Sequence, residues 1–284
     1  MPQPTPTIAT EYTPLGSSMV ASVRDLPQRL LGIWAHPDDE AYLSAGLMAR
    51  VTEAGGSVTV VTATRGEQGT DDPARRGNVA FGTARQRELE ASLAGLGVTD
   101  LRILGLLDGG CDEADDEAQI QALSSIVREV EPDTIVTFGP DGITNHPDHR
   151  AVSRWATEAW RRTPGAELLY AAVTFDHLER FAGVHEEIGV YAGFGDDGPP
   201  AIGRSRVALE CALTEVELDR KRAALAEHAS QTVPLAEQMG EDTYRIWWRE
   251  ETFRRPAAAE VHCCPVPDWV TAGRGASQLV GSPS

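Results

Sequence analysis

The chain has 284 residues, 41% of them hydrophobic, which fits one α/β domain or one domain with a smaller appendage. Its 43 acidic residues outnumber its 25 basic ones, giving a formal net charge of −18. A surface this acidic repels phosphate backbones and anionic lipid headgroups, so the composition disfavours binding to nucleic acid or to a membrane surface. The acidity suits a neutral or cationic small molecule without demanding one.

The cysteines and the N-terminal residues predict a cytoplasmic protein. No CxxC pair occurs, so we expect reduced thiols rather than a zinc ribbon or a disulfide framework, and ordinary packing for the adjacent Cys263 and Cys264. No stretch approaches the ~18 uninterrupted apolar residues of a membrane-spanning helix. Residues 1–24 also lack the basic start and the apolar run of a secretory signal.

Apolar runs alternate with amphipathic stretches from residue 30 onward. Residues 30–35 predict a buried strand, and residues 41–54 carry a helical stripe that Gly55 ends. Residues 57–63 are rich in β-branched side chains and predict a second strand. The polar, glycine-rich residues 65–82 predict a loop.

Further strand and helix signals follow in the same order. Thr83 and Gln86 form a potential capping box, which predicts the start of the second helix. A third helix is expected to stop before Pro132, and a fourth to carry Trp155. Three more strands are expected at residues 101–104, 135–138 and 168–175.

This repeated β–α pattern predicts a Rossmann-like α/β fold, with a mostly parallel sheet and helices on both faces. Ligand sites in such sheets gather at the carboxyl ends of strands. Here that rule selects the loops after Ala35, Ala63 and Phe138.

The pattern weakens after residue 175. A strand is expected near residues 207–213, followed by a helix that a capping box of Thr214 and Glu217 opens. We expect a main domain with a core and a C-terminal cap or extension, flanked by an N-terminal arm and a flexible tail. The core would span residues 29–175 and the C-terminal cap or extension residues 176–272. The N-terminal arm would span residues 1–28 and the flexible tail residues 273–284.

Two of the selected loops carry histidines and carboxylates. The sequence His36-Pro37-Asp38-Asp39-Glu40 follows the first strand, and His146-Pro147-Asp148-His149 follows the fourth. The loops are ~100 residues apart in the chain, yet parallel strands bring them to one edge of the sheet. His177, His185 and His262 have no such neighbours, so we interpret them as surface or packing residues.

These residue types suit a catalytic zinc site. Such a site takes three ligands from His, Asp or Glu and leaves one position for water. His36, Asp39 and one histidine of the second loop would complete a His₂Asp set. Asp38 can then take a proton from the water, while the other histidine stabilises the oxyanion and protonates the leaving amine, with Asp148 as its hydrogen-bond partner.

The two motifs, AHPDDE at residues 35–40 and HPDH at residues 146–149, resemble the LmbE-like (PIG-L) zinc-dependent de-N-acetylase family. Other short segments between residues 30 and 231 agree with the family in order and spacing: TRGE at 64–67, Arg85 with Glu88, LGV at 96–98, LGLLDG at 104–109 and HASQ at 228–231. The resemblance therefore covers most of the chain and implies an LmbE-like deacetylase domain.

The resemblance also implies a role for each site residue. His36, Asp39 and His149 would bind the metal, with Asp38 as the general base. The remaining assignments are His146 as oxyanion stabiliser and possible general acid, Asp148 as its partner, and Arg85 and Asp108 as contacts to the polar substrate. Thr144 stands where the mycothiol-pathway branch carries a tyrosine that assists the oxyanion, and its side chain is too short for that task.

The sequence thus predicts a zinc-dependent N-deacetylase or amidase, a hydrolase acting on linear C–N bonds. It would use one zinc-bound water per chain to remove an acyl group, expected to be acetyl, from a small amino-sugar-like substrate such as an N-acetylglucosamine derivative. Other divalent metals suit the same ligands, and the resemblance is compatible with a homo-oligomer.

Two alternatives stay open at this point. The same site could cleave a larger thiol-type or antibiotic-type conjugate. A non-catalytic sugar- or nucleotide-binding module is the alternative from another class. It is disfavoured because no GxGxxG or P-loop follows the first strand.

Overall fold

A mixed α/β arrangement of short strands and longer helices makes up residues 26–261, the part of the chain that the computed structural model describes. The predictions for most of the N-terminal arm, for the tail, and for His262, Cys263 and Cys264 lie outside these residues. The strands are β1 (Arg29–Trp34), β2 (Ser57–Thr64), β3 (Asp100–Leu106), β4 (Thr134–Phe138), β5 (Glu167–Ala171), β6 (Val173–Thr174), β7 (Ala201–Ile202), β8 (Leu209–Ala212) and β9 (Glu250–Arg254).

Helices fill most of the connections between these strands. They are α1 (Asp39–Glu53), α2 (Val79–Gly95), α3 (Asp116–Val130), α4 (Gly142–Asn145), α5 (Pro147–Arg162), α6 (Phe175–Arg180), α7 (Ala182–Ile188), α8 (Glu215–Glu227), α9 (Ala229–Met239), α10 (Glu241–Trp247) and α11 (Ala258–Val261). Within the described ranges, none of them combines the length and the apolar character needed to cross a membrane.

Seven strands form the main sheet, in the order β3-β2-β1-β4-β5-β9-β8. The strands β1 to β5 run parallel, and β9 and β8 add to one side in antiparallel pairings. The chain moves outward from β1 through β2 to β3, then returns to place β4 on the other side of β1. This reversal opens a crevice at the carboxyl ends of β1 and β4. The prediction of a mostly parallel α/β sheet is confirmed.

The core consists of the two apolar faces of this sheet and the helices packed on them. Strand β1 is buried from Leu30 to Trp34, as expected for a central parallel strand covered on both sides. Helix α8 packs against α1 and α2, and α3 packs against α5. Burying both sheet faces fixes the strand ends, and therefore fixes the loops that emerge from them.

The second helix begins earlier than the sequence predicts. Helix α2 starts at Val79, because the side chain of Asn78 accepts a hydrogen bond from the backbone N–H of Ala80 and caps it. The predicted capping box was therefore wrong. Thr83 lies inside the helix and donates its hydroxyl proton to the Val79 carbonyl, and Gln86 makes side-chain contacts on the helix surface.

The fifth strand is shorter than the predicted span of residues 168–175. Strand β5 ends at Ala171, and Val173–Thr174 pairs with Ala201–Ile202 in a separate two-stranded sheet. The side chain of Thr174 then accepts a hydrogen bond from the His177 N–H and caps helix α6, so Phe175 is helical rather than extended. The cap, rather than strand propensity, decides this boundary.

The C-terminal third joins the main sheet through β9 and β8. The predicted capping box of Thr214 and Glu217 is confirmed, with both reciprocal hydrogen bonds formed at the start of α8. The division into a core at residues 29–175 and an extension at 176–272 stays a prediction.

A buried ion pair connects this C-terminal third to α1. The ammonium of Lys221 donates to the Glu251 carboxylate and to the Tyr42 carbonyl, each at 2.7 Å, and both charged side chains are 0% exposed. The same carboxylate accepts hydrogen bonds from the backbone N–H groups of Gly46 and Leu47. Three elements, α1, α8 and β9, are therefore held by one carboxylate.

Replacing Lys221 by methionine is expected to destabilise the protein strongly. The change leaves the Glu251 carboxylate buried without its cation, which typically costs about 3–5 kcal/mol of the free energy of unfolding. Urea denaturation followed by circular dichroism measures the loss.

The matched control is Arg220→Met, one residue earlier on the same helix. Arg220 forms a solvent-exposed pair with Glu53, so its loss should change the free energy of unfolding by about 1 kcal/mol or less. Equal losses in the two variants would contradict the role given to the buried pair.

Candidate metal centre and active site

The loop after β1 is folded back onto the start of α1. One oxygen of the Asp39 carboxylate accepts hydrogen bonds from the backbone N–H groups of Ala35, at 3.2 Å, and of His36, at 2.8 Å. The preceding residue, Asp38, has a φ of 113°, a backbone conformation that L-residues other than glycine rarely adopt. The tight turn places both Asp38 and Asp39 at the sheet edge beside His36.

The loop after β4 is strained in a similar way. Ile143 has a φ of 64°, which is rare for a β-branched residue, and Asn145 has a φ of 61°, a conformation that asparagine adopts more readily. The Asn145 side-chain amide donates to the Gly193 carbonyl at 2.6 Å, which ties this loop to the C-terminal third. Backbone strain of this kind concentrates at functional sites, where the surrounding structure has to maintain it.

Helix α5 then presents the second motif. His146 is the N-cap residue, and its Nδ1 accepts a hydrogen bond from the Asp148 N–H at 3.2 Å. Pro147 occupies the first helical turn, where its missing N–H costs nothing. This start directs Asp148 and His149 inward, and both are buried.

The three predicted metal ligands converge between the two loops. His36 Nδ1 lies 3.1 Å from His149 Nε2. The two oxygens of Asp39 lie 3.7 Å from His36 Nδ1 and 3.4 Å from His149 Nε2. The other ring nitrogen of His149 contacts the Gly142 carbonyl at 2.9 Å, and donation there leaves Nε2 with its lone pair directed at the cluster.

His36 is shared by two groupings of potential ligands, neither of which includes Asp39. One combines it with His146 and His149, and the other with Asp108 and Asp148; within each, the potential ligand atoms lie within 4.8 Å of one another. The donor set is therefore made of imidazoles and carboxylates, which suits zinc and other divalent transition metals. The chemistry of the residues fits a metal site at this position.

Asp148 has a different partner from the predicted one. Its carboxylate lies 3.1 Å from His36 Nε2 and accepts hydrogen bonds from the backbone N–H groups of Gly109 and Cys111. Only the backbone N–H of Asp148 meets His146. The start of α5 explains the difference, because a residue in the first helical turn points its side chain across to the loop after β3. Asp148 thus orients His36, in the manner of a carboxylate that supports a ligating histidine.

The protonation of the two buried histidines differs. Burial lowers the pKa of His36, but hydrogen bonds to Asp108 and Asp148 and the charge of Asp39 outweigh it and raise that pKa to about 10. Burial and the charge of His36 hold the pKa of His149 well below its usual value. His36 therefore donates from both ring nitrogens, and the proton on Nδ1 lies between it and His149.

Asp38 lines the same cavity and is held by Arg85. The guanidinium contacts the Asp38 carboxylate at 3.1 Å and donates to the carbonyls of Pro37 and Gly66. Burial raises the pKa of Asp38 to about 6, against the opposing charge of Arg85. Gly66 has to be glycine, because a Cβ there would lie 2.0 Å from Arg85 Nη1.

A second buried pair, to which no role was predicted, lies beside Asp38. One oxygen of Glu40 accepts a hydrogen bond from the Asp38 N–H at 3.0 Å, and the other lies 2.9 Å from His228 Nε2. Both side chains are fully buried. This pair supports the unusual backbone of Asp38 from a residue 188 positions away. The sequence could have pointed to this pair, because Glu40 and His228 each lie in a motif shared with the LmbE-like family.

The predicted site residues line one cavity of about 480 Å³. His36, Asp38, Asp39, Arg85, Asp108, His146 and His149 all contribute to its surface, and Asp148 lies just behind them. Asp108 contacts His36 Nε2 at 3.1 Å through one oxygen and accepts the Gln68 N–H through the other. His177 also lines the cavity, whereas His185 is buried and accepts a hydrogen bond from the Trp247 ring N–H.

Residues 31–160 match the family model described as PIG-L: GlcNAc-PI de-N-acetylase. A deacetylase of Streptomyces avermitilis, described as acting on 1D-myo-inositol 2-acetamido-2-deoxy-alpha-D-glucopyranoside, is 31% identical over 265 residues, covering 74% of this chain and 90% of the relative. The chain belongs to the PIG-L family. The prediction of this family of deacetylases is therefore confirmed.

Two further similarities complete the comparison for this PIG-L family member. A second deacetylase of the same description, from Catenulispora acidiphila, is 38% identical over 155 residues, but the match spans only about half of that protein, 51%. The N,N'-diacetylchitobiose deacetylase of Pyrococcus horikoshii has the same fold, with a TM-score of 0.57, 22% identity, and coverage of 88% of this chain and 91% of that one.

We expect metal binding to release about one proton per ion at pH 7.5. The raised pKa of His36 means that its Nδ1 carries a proton at neutral pH, and that proton has to leave before Nδ1 can ligate a metal. The affinity of the metal-free protein for zinc should therefore rise with pH, by up to about tenfold per unit. Titration calorimetry in two buffers with different protonation enthalpies counts the protons.

Asp148→Asn serves as the matched variant for this measurement. It removes one of the interactions that raise the pKa of His36, so fewer protons should be released and the affinity should depend less on pH. Zinc binding by the unmodified protein without proton release, at a constant affinity from pH 6.5 to 8.5, would refute the assignment.

Proposed function

We propose that this protein is a zinc-dependent N-deacetylase that hydrolyses the acetamido group of a small amino-sugar substrate. The observation that carries the proposal is the convergence of His36, Asp39 and His149 beside the Asp38 carboxylate, in one cavity at the sheet edge. The family membership supports the reaction type, and the relatives described as deacetylases of acetamido sugars support the substrate class.

One zinc ion per chain would be held by His36, Asp39 and His149. When bound, it supplies the Lewis acidity that activates water and polarises an amide carbonyl at neutral pH. Iron or cobalt in the divalent state suits the same donors, so the choice of zinc as the native metal is itself part of the proposal. Asp148 keeps the His36 ring in place through its Nε2 contact.

Asp38 is proposed as the general base. A carboxylate with a pKa near 6 is largely ionised at neutral pH, yet basic enough to accept a proton from a water molecule in the cavity. Arg85 fixes the direction of this carboxylate, and its three hydrogen bonds all go to protein acceptors. Its proposed contribution to substrate binding therefore includes the positioning of Asp38 and of the loop at Gly66.

His146 is proposed to stabilise the oxyanion and to protonate the leaving amine. Its ring lines the cavity and makes a perpendicular contact with the His36 ring, at 4.9 Å between centroids. Burial and the charge of His36 lower the pKa of His146. Thr144, which also lines the cavity, lies 3.4 Å from His149 Nδ1. Asp108 is proposed to accept a hydrogen bond from a substrate hydroxyl at the cavity surface.

The remaining predictions about the environment of the protein are also proposals. Cys111 and Cys211, the described cysteines, are buried free thiols, which supports a reducing compartment such as the cytoplasm. The net charge of −18 supports a small-molecule partner rather than nucleic acid or an anionic membrane. A homo-oligomer rests on the family resemblance alone.

Removal of the metal is expected to abolish acetate release from an N-acetylglucosamine conjugate. Zinc readdition should restore the activity, and adding iron or cobalt to separate samples identifies the metals that the site accepts. Full turnover by protein freed of metal, verified by elemental analysis, would end the proposal.

Two variants separate the general base from the metal ligands. Asp38→Asn should keep about one zinc per chain but lose about 10²–10⁴-fold in kcat, the usual contribution of a general base. His149→Ala should lose both zinc and activity, since it removes one of three ligands. A reversal, with metal lost only from the Asp38 variant, would exchange the two roles.

A non-catalytic binding module is the second candidate. It would bind a sugar in the same cavity without turnover. Sugar binding by calorimetry, together with no acetate release from the zinc-loaded protein, would favour it.

A further inference from the structure

The cavity has a second wall that none of the proposed catalytic roles uses. It is formed by Tyr42, Leu43, Tyr191, Leu235, Trp247 and Trp248, which we call the aromatic wall. Tyr42 and Leu43 come from α1, one helical turn after the site aspartates. The other four come from the C-terminal third, beyond residues 31–160 that match the family model. The wall is therefore built largely by residues outside the segment that the family model matches.

The rings of the wall pack on one another. The centroids of Tyr42 and Trp248 lie 4.4 Å apart, and those of Trp247 and Trp248 lie 4.2 Å apart. Aromatic pairs at these separations are stabilised beyond the burial of their area. Three of its rings, those of Tyr42, Trp247 and Trp248, therefore form one packed surface.

Neighbouring residues fix the wall from behind. The ring N–H of Trp247 donates to His185 Nε2 at 2.9 Å, and the His185 ring makes an edge contact with Tyr191 at 4.9 Å between centroids. The ammonium of Lys221 lies 5.8 Å from the Trp248 ring, and its charge is compensated by Glu251. Because these side chains are already held, a ligand would bind without having to order them.

We propose that the aromatic wall is a subsite for an apolar substituent, aromatic or aliphatic, carried by the amino-sugar amide. The inference rests on the function proposed above and narrows its substrate class. The substituent is attached to the sugar as an aglycone or forms the acyl chain of the amide, and both sources present the same apolar surface to the wall.

Size and chemistry both support this occupant. Cavities of about 300–1,000 Å³ typically bury drug-sized ligands, so 480 Å³ exceeds the need of a bare monosaccharide. The volume is also too small for a macromolecular partner, and it is continuous with the metal ligands. The half-buried members of the wall, such as Tyr42 and Trp248, still expose apolar surface, and an apolar substituent would remove that surface from water.

Substrate series on the zinc-loaded protein test the proposal. The reference is N-acetylglucosamine. One arm uses phenyl and octyl N-acetylglucosaminides, and the other uses N-octanoylglucosamine. We expect kcat/KM to rise about tenfold or more over the reference in one arm, mainly through a lower KM, and the arm that responds identifies the source of the apolar group. Values no higher than the reference in both arms would overturn the proposal.

Variants of the wall connect the effect to these residues. Trp248→Ala should remove most of the gain for the apolar substrate while changing kcat/KM for N-acetylglucosamine by less than about threefold, and Trp248→Phe should restore part of the gain. Trp160→Phe, a tryptophan whose ring N–H bonds the Ala166 carbonyl at the end of α5, is the matched control and should keep it. An unchanged gain in Trp248→Ala would overturn the proposal.

A binding measurement separates this proposal from the function on which it rests. Octyl glucosaminide and glucosamine, which contain no amide, are titrated into the protein while tryptophan fluorescence is followed. Tighter binding of the octyl compound that is lost in Trp248→Ala supports the subsite. It does so even when no amide in either arm is hydrolysed, because the absence of hydrolysis would defeat only the proposed function. Equal binding of the two compounds, together with no gain for N-octanoylglucosamine in the substrate series, would reject the subsite.

Discussion

The placement of β4 beside β1 is the constraint on which the site depends. The chain builds β1, β2 and β3 outward in one direction and then returns to the other side of β1. The chain leaves these two neighbouring strands in opposite directions along the sheet. The loops at their carboxyl ends therefore diverge, and a crevice remains between them. His36 and His149 come from these two loops, and their ring nitrogens meet at 3.1 Å because the strands beneath them are hydrogen-bonded neighbours.

The ligand cluster requires support that the two loops alone could not provide. Both loops contain non-glycine residues with positive φ, which is energetically unfavourable for an isolated chain. Buried carboxylates hold these conformations: Asp39 and Glu40 accept backbone N–H groups in the first loop, and Asp148 connects the second loop to Gly109 and Cys111. Each of these carboxylates is also within reach of a histidine, so structural and chemical roles are combined in the same groups.

The C-terminal third contributes more to the site than its weak sequence pattern indicated. It provides His228 behind Glu40, Lys221 and Glu251 behind Tyr42, and the indole rings of Trp247 and Trp248. The proposed metal ligands and general base come from the region matched by the family model, while much of the surface facing them comes from the remainder. This division is physically reasonable, because the reaction needs a fixed set of ligands whereas a substrate can be recognised by many different surfaces.

The sequence by itself determined the parallel α/β sheet and the motifs at its strand ends. Periodicity and proline turns are local properties, so they identified the buried strand before His36 and the helix start at Pro147. The tertiary structure alone decided which groups touch. Asp148 was expected beside His146 and lies against His36, the cap of Thr174 replaced part of a strand by a helix, and Glu40 found His228 far away in the chain. Such pairings depend on how helices pack over the sheet, which brings together residues that share no local pattern.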